Sequence, residues 1–164
     1  MHMLQQTLEK SKVKEFRAFL TGKVVSIEEV PDLAFSRRVL GDGLAIIPFS
    51  TTVVAPADGI VSYVLDDCKY ACGMYFPAFD MEIMFHIGID TFDMNGDGFE
   101  LKVKQGDKVR MGDPLIKFDA DKIMAAGHPI MVMMVVTDAG QAKNFSFHTE
   151  IAAYESKTVI MSFE

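Results

Sequence analysis

An antiparallel all-β fold, a sandwich or partly closed barrel, is what this sequence predicts. Three observations point there. From residue 23 onward the apolar residues fall in short runs rich in Val, Ile, Phe and Met, too short for helices. Turn formers separate those runs: Gly41-Asp42-Gly43, Pro56-Ala57-Asp58-Gly59 and Asn95-Gly96-Asp97-Gly98. Helical spacing occurs in only two places, the first twenty residues and a short stretch at 119–126. Many short strands at turn spacing make a sandwich or a barrel.

Taken in order, residues 1–20 come first. Leu4, Leu8, Val13, Phe16 and Leu20 interleave with Gln, Glu, Lys and Arg, which predicts an amphipathic helix from Met3 to about Phe19. Lys10, Lys12, Lys14 and Arg17 outnumber Glu9 and Glu15, so this helix would feel a weak pull toward anionic lipid. Thr21-Gly22 ends it, and residues 21–164 form one β domain. Strands are predicted over Lys23–Glu28, Leu44–Pro48, Thr52–Ala55 and Gly59–Leu65. Others follow at Met81–Thr91, Phe99–Val103 and Pro114–Phe118. Asp119 caps a short helix that Gly127 stops. Ile130–Val136 is continuously apolar and reads as a fully buried strand, methionines included. Glu150–Ala153 and Thr158–Phe163 complete the sheet.

Composition narrows the function. The chain has 164 residues, enough for a real core, and a net charge of −7. That charge argues against nucleic acid and for a basic protein partner. No apolar run is long enough to span a bilayer, and no secretory signal is present. The two cysteines, Cys68 and Cys72, would lie about 13 Å apart if both sat on one strand, too far for a disulfide. Reduced thiols fit a cytoplasmic protein.

One stretch stands out for chemistry. His86 sits in the apolar run Met81–Asp90, followed by Gly88 and Asp90. An imidazole titrates near neutrality and keeps a nucleophilic nitrogen there. Gly88 removes a side chain two positions on, which would let a molecule approach the ring along the strand face. Asp90 would continue that face toward a cation. A core histidine bonded to a carbonyl is the plainer use of such a residue, and these features alone only nominate His86.

The segment His86-Ile87-Gly88-Ile89-Asp90-Thr91, with Asn95-Gly96-Asp97-Gly98-Phe99, resembles the phosphohistidine segment of the glucose-family enzyme IIA proteins. These belong to the bacterial phosphoenolpyruvate-dependent sugar phosphotransferase system. The similarity continues through Gly22-Lys23-Val24-Val25, Val30-Pro31-Asp32, Leu40-Gly41-Asp42-Gly43, Val54–Gly59 and Val103–Val109. It spans residues 22 to 137 in the family's order.

The resemblance implies an antiparallel β-sandwich that relays phosphate. The residue matching His86 would take a phosphoryl group from the histidine phosphocarrier protein and pass it to the IIB domain of a sugar transporter, with its IIC component beyond. The carbonyl of Gly88 would fix the His86 tautomer. Asp32 and Asp90 would flank the docking face, and Phe35 its apolar rim. The family also places a second histidine opposite the first, in a Thr-x-His-Ala-x-Gly strand. Here that stretch is Cys68-Lys69-Tyr70-Ala71-Cys72-Gly73, so Tyr70 stands in for the histidine and Cys68 for the threonine. A phenol donates one hydrogen bond to phosphate but carries no positive charge. Acceptance on His86 is therefore expected, with slower onward transfer.

Other readings follow from the same residues. If Cys68, Tyr70 and Cys72 shared a strand face, His86 could complete a zinc site. Cys-x-x-x-Cys is not a usual ligand spacing, so no metal or other cofactor is expected. Gln105–Ile116 with Lys122 is similar to half of a biotinyl or lipoyl carrier motif, but the flanking Met-Lys-Met is absent and an exposed helical lysine is preferred. A lysostaphin-like metallopeptidase needs a His-x-His pair that this chain lacks. A degenerate IIA protein, its relay bent to a regulatory role, is the remaining alternative, and Tyr70 is its support. His2 and His128 have no evident partner, and His148 is expected to be exposed.

Overall fold

The computed structural model describes residues 13–164, and antiparallel sheets account for most of its regular secondary structure. In chain order the strands are β1 (Lys14–Arg17), β2 (Gly22–Ser26), β3 (Asp42–Pro48), β4 (Thr52–Val54), β5 (Gly59–Val64), β6 (Ala71–Phe76) and β7 (Met81–Ile87). Then come β8 (Phe99–Leu101), β9 (Lys108–Val109), β10 (Pro114–Phe118), β11 (Val132–Asp138), β12 (Ser146–Phe147), β13 (Ile151–Ala153) and β14 (Val159–Phe163). Two short helices, α1 (Leu33–Ser36) and α2 (Ala120–Ala125), and two 3-10 turns, Ile27–Glu29 and Thr91–Met94, join them.

One sheet of eight strands runs in the order β13-β2-β3-β11-β7-β6-β5-β9. Two three-stranded sheets, β1-β14-β12 and β4-β10-β8, complete the strands. A single apolar cluster joins all three: Ile46, Phe85 and Met134 from the large sheet meet Phe16, Met161 and Phe163 from one small sheet and Ile116 and Phe118 from the other. The large sheet begins at β13 and ends at β9 without joining itself, so the fold is an open sandwich and not a partly closed barrel. Alternation on β7 shows why the layers form. Met81, Ile83, Phe85 and Ile87 are buried inward, while Glu82, Met84 and His86 face the other way.

The start of the chain corrects the sequence reading. Residues 1–12 of the expected helix lie outside the described residues, but its remainder is not helical. Lys14–Arg17 is a strand paired with β14. Phe16 is buried, its ring 4.7 Å from that of Phe76 and 5.2 Å from that of Phe163. Ala18, Phe19 and Leu20 are all fully buried, a continuous apolar run that no amphipathic helix could bury on one face. Pairing and aromatic packing outweigh a weak helical period.

The short helix near 119–126 is present as α2, with the Asp119 carboxylate accepting from the Lys122 backbone N–H at 3.1 Å. Gly127 follows in the left-handed conformation that stops it. The buried strand expected over Ile130–Val136 begins at Val132: Val132–Val135 are fully buried, while Ile130 and Met131 precede the strand and are half-buried. Strands β9 and β12, two residues each, carry no sequence signal of their own.

A second, smaller core decides where the chemistry sits. On the outward face of the eight-stranded sheet, Val25, Ala45, Met133 and Val135 are covered by Ile27, Val30, Phe35 and Ile89. The covering segment, residues 27–40, is pinned at its base. Arg38 bonds both Glu28 and Asp42 at 2.9 Å, itself in a left-handed conformation.

Candidate functional site

His86 lies at the margin of that second core. Its neighbours across the ladder are Ala71 on β6 and Met133 on β11. The strand ends one residue later, because Gly88 and Asp90 are both left-handed, at φ 75° and 59°. The chain therefore turns, and Asp90 does not continue the strand face as expected from the sequence. Nor is the space over Gly88 left for a visiting molecule. The methyl of Thr91 fills it, 2.5 Å from where a Cβ would stand. The buried Thr91 hydroxyl donates to the Ile87 carbonyl at 2.7 Å and locks this turn.

The turn returns a carbonyl to the ring. His86 Nδ1 lies 3.0 Å from the oxygen of Gly88. A carbonyl can only accept, so Nδ1 carries the proton and the free lone pair is on Nε2. Burial, the largest influence, pushes the His86 pKa below its ordinary value. The Gly88 hydrogen bond and the charges of Asp32 and Asp90 pull it back up without reversing the shift. A neutral imidazole with one nitrogen tethered and the other nucleophilic is the result at neutral pH.

Two rings stand beside it. The centroid of Phe35 is 5.1 Å from that of His86 at a steep angle, and Tyr70 is 4.8 Å away. Phe35 is only 4% exposed, so it underlies the site and is not its outer rim. The exposed apolar side chains of this segment are Leu33 at 62%, Val39 at 71%, and Leu40, which the sequence reading passed over. Their signal was available: three aliphatic residues in a turn-rich segment with no strand to bury them. Asp32 caps α1, its carboxylate accepting from the Ala34 N–H at 2.9 Å. Asp90 is exposed and makes no capping bond.

Tyr70 reaches the site from just outside β6. Its carbonyl accepts from the Ile87 N–H at 2.8 Å, which extends the ladder by one bond. Lys69, at φ 58°, breaks the strand before it. Cys68 is consequently in a turn, and the shared strand face of Cys68, Tyr70 and Cys72 does not exist. Cys72 is buried, which pushes its thiol up to about 12, far from a metal-binding thiolate. Among the described residues no group of three or more His, Cys, Asp or Glu could hold a metal ion. Burial, then the nearby Cys68, raises the Tyr70 phenol above its usual value, so it keeps its proton and can donate.

Elsewhere, Lys122 is an exposed helical lysine paired with Asp97 at 2.8 Å. His148 is half-buried and not exposed, with Nδ1 3.1 Å from the Val159 carbonyl. His128, without a partner in the sequence reading, meets Asp93. His2 lies outside the described residues. Among the described residues no helix is long and apolar enough to cross a membrane.

Comparison with known proteins follows the same residues. The family model for the phosphoenolpyruvate-dependent sugar phosphotransferase system, EIIA 1, matches residues 14–142. The glucose-specific EIIA component of Staphylococcus aureus (strain COL) is 34% identical over 142 residues, which cover 87% of this chain and 84% of that protein. The same component from Bacillus cereus (strain ATCC 14579) is 37% identical over 142 residues, 87% of this chain and 85% of that protein. The solved structure of glucose permease IIA from Mycoplasma capricolum superposes with a TM-score of 0.80 at 30% identity, covering 92% of this chain and 95% of that one.

Proposed function

We infer that this chain, which belongs to the EIIA 1 family of the phosphoenolpyruvate-dependent sugar phosphotransferase system, carries a phosphoryl group on Nε2 of His86. The observation that carries the reading is the His86–Gly88 contact, which leaves Nε2 as the nucleophile. The donor would be the phosphorylated histidine phosphocarrier protein. As Nε2 attacks phosphorus, a new N–P bond forms and the donor's N–P bond breaks, returning the electron pair to the donor imidazole. Nδ1 keeps its proton, and the positive charge growing on the ring is stabilised by the Gly88 carbonyl that accepts the Nδ1–H bond. Onward transfer to a IIB domain, with the sugar-translocating IIC component beyond it, is the same exchange in reverse.

The surroundings suit a transient basic partner. Leu33, Val39 and Leu40 offer a small apolar patch, and Asp32 and Asp90 offer carboxylates beside it. The names of the relatives make glucose the first sugar to try. Tyr70 would donate its phenol hydrogen to the phosphoryl oxygens, a neutral substitute for a cation.

The test is reconstitution. Phosphoenolpyruvate, enzyme I and the phosphocarrier should add one phosphoryl group, labile to acid and stable to base, as an N-linked phosphate is. Equal labelling of the wild type and His86→Ala would sink the proposal. A second reading, a IIA homologue that accepts phosphate and uses it as a signal, rests on Tyr70 alone. Ready labelling with no measurable transfer to any IIB domain would favour it.

A further inference from the structure

The Gly88–Ile89 peptide unit is planar, so its carbonyl and its N–H turn together. Its carbonyl is the oxygen 3.0 Å from His86 Nδ1. Its N–H donates to the carbonyl of Pro129 at 3.1 Å, and the Gly88 N–H before it donates to Met131 at 2.8 Å. Whatever places residues 129–131 therefore sets the direction of the carbonyl that chooses the His86 tautomer.

Residue 128 is tied directly to the same loop. His128 Nε2 donates to the Asp93 carboxylate at 2.7 Å, and the His128 side chain is only 11% exposed. Asp93 lies in the 3-10 turn that follows Asp90. The connection behind His128 is short and irregular: Gly127 is left-handed, its N–H donates to the Met124 carbonyl at 2.9 Å, and the His128 N–H reaches the Ile123 carbonyl of α2 at 3.3 Å. The side-chain pair thus closes a strap across the turn, with the two backbone bonds as its other fastenings.

We propose that His128, through Asp93 and Pro129, is a positioning residue for the His86 nucleophile. This rests on the reading of His86 as the phosphoryl acceptor. The path runs from the Asp93 carboxylate to the His128 ring, through Pro129 to the Ile89 N–H, across the peptide plane to the Gly88 carbonyl, and so to Nδ1. Serial hydrogen bonds across one peptide also polarise each other, so loss of the Pro129 contact weakens the Gly88 acceptor as well as freeing it to rotate.

The test uses the full chain labelled with nitrogen-15 at histidine. Imidazole nitrogen shifts report the His86 tautomer, and single-turnover labelling from the phosphocarrier reports the rate. In the wild type Nδ1 is protonated and Nε2 is not. His128→Ala should mix the two tautomers of His86 and slow phosphoryl acceptance by about tenfold at unchanged KM for the phosphocarrier, the scale of a modestly misplaced nucleophile. His128→Gln, which still offers an N–H to Asp93, should restore most of both. Asp93→Ala breaks the same contact from its exposed side and should match His128→Ala, with the double variant no worse than either. Unchanged His86 shifts and rate, with only the melting temperature lowered, would overturn the proposal. If the wild type takes no label, the carrier reading fails instead, and the nitrogen shifts still decide the role of His128.

Discussion

Tyr70 stands with its ring centroid 4.8 Å from that of His86, tilted by 56°, held there by a backbone bond from Ile87 to its carbonyl. A phenol of raised pKa thus adjoins the His86 imidazole on this flank, at the position where the family resemblance implies a second histidine. Tyr70→Phe keeps the ring and removes the donor. A lost hydrogen bond to a charged phosphate corresponds to roughly 1.5–3 kcal/mol, so transfer should slow about ten- to a hundredfold if the bond forms only in the transition state. Tyr70→His should speed donation to a IIB domain, more so with Cys68→Thr. Rapid-quench transfer assays decide, and equal rates for Tyr70→Phe and wild type would make the tyrosine a spacer.

The pH dependence follows from the depressed pKa of His86. Folding lowers that pKa, chiefly by burial, so the folded state binds fewer protons than the unfolded chain as pH falls through 6.5. This stability is present above the unfolded value and is lost as pH drops through the lower, folded one. Acceptance should stay flat at neutral pH and decline only in acid. Asp32→Asn and Asp90→Asn each remove a charge that raises the His86 pKa, so both should shift that decline to lower pH. A histidine titration by NMR reads this directly, and a shift upward would refute it.

Docking should respond to salt and to aliphatic truncation differently. Asp90→Asn leaves the left-handed backbone tolerable, since Asn adopts it readily, and so isolates the charge. Association with the phosphocarrier should slow while dissociation changes little, and the difference should fade as salt screens charges over about 8 Å. Val39→Ser should instead speed dissociation, at any salt. Stopped-flow measurements across ionic strength separate the two.

Gly88→Ala should cost both stability and chemistry. The residue sits at φ 75°, and a new Cβ would meet the Thr91 methyl at 2.5 Å. Strain of this kind is worth about 1–3 kcal/mol. The same change would turn the Gly88 carbonyl from Nδ1, so the residual folded protein should label slowly. A variant that melts and labels like the wild type would mean the turn tolerates another geometry.

Much of this was readable in the chain. The apolar run around His86 and the turn clusters at 56–59 and 95–98 announced short antiparallel strands, because a strand's composition and a turn's demand for Gly, Asn or Asp are local properties. The residues Asp119 and Gly127 bounded α2 for the same reason. The turn expected at Gly41-Asp42-Gly43 is instead the start of β3, where Asp42 and Gly43 pair with Val136 and Val135. The misreadings are non-local. Residues 14–17 became a strand because Phe16 found Phe76 and Phe163, partners far along the sequence. Cys68 left the strand because Lys69 turned left-handed, which no pattern in Cys68–Gly73 forecasts.

By itself, then, the sequence determined the strand-rich class and the family and nominated His86, since these rest on residue types and short-range spacing. Only the tertiary structure decided that Asp90 sits past a turn, that Phe35 lies beneath the site, and that His128 is strapped to Asp93. Those facts depend on how residues 27–40 and 126–131 are folded back over the sheet. That placement is set by the burial of Val30, Phe35, Ile89 and Met133 together, and no one segment encodes it alone.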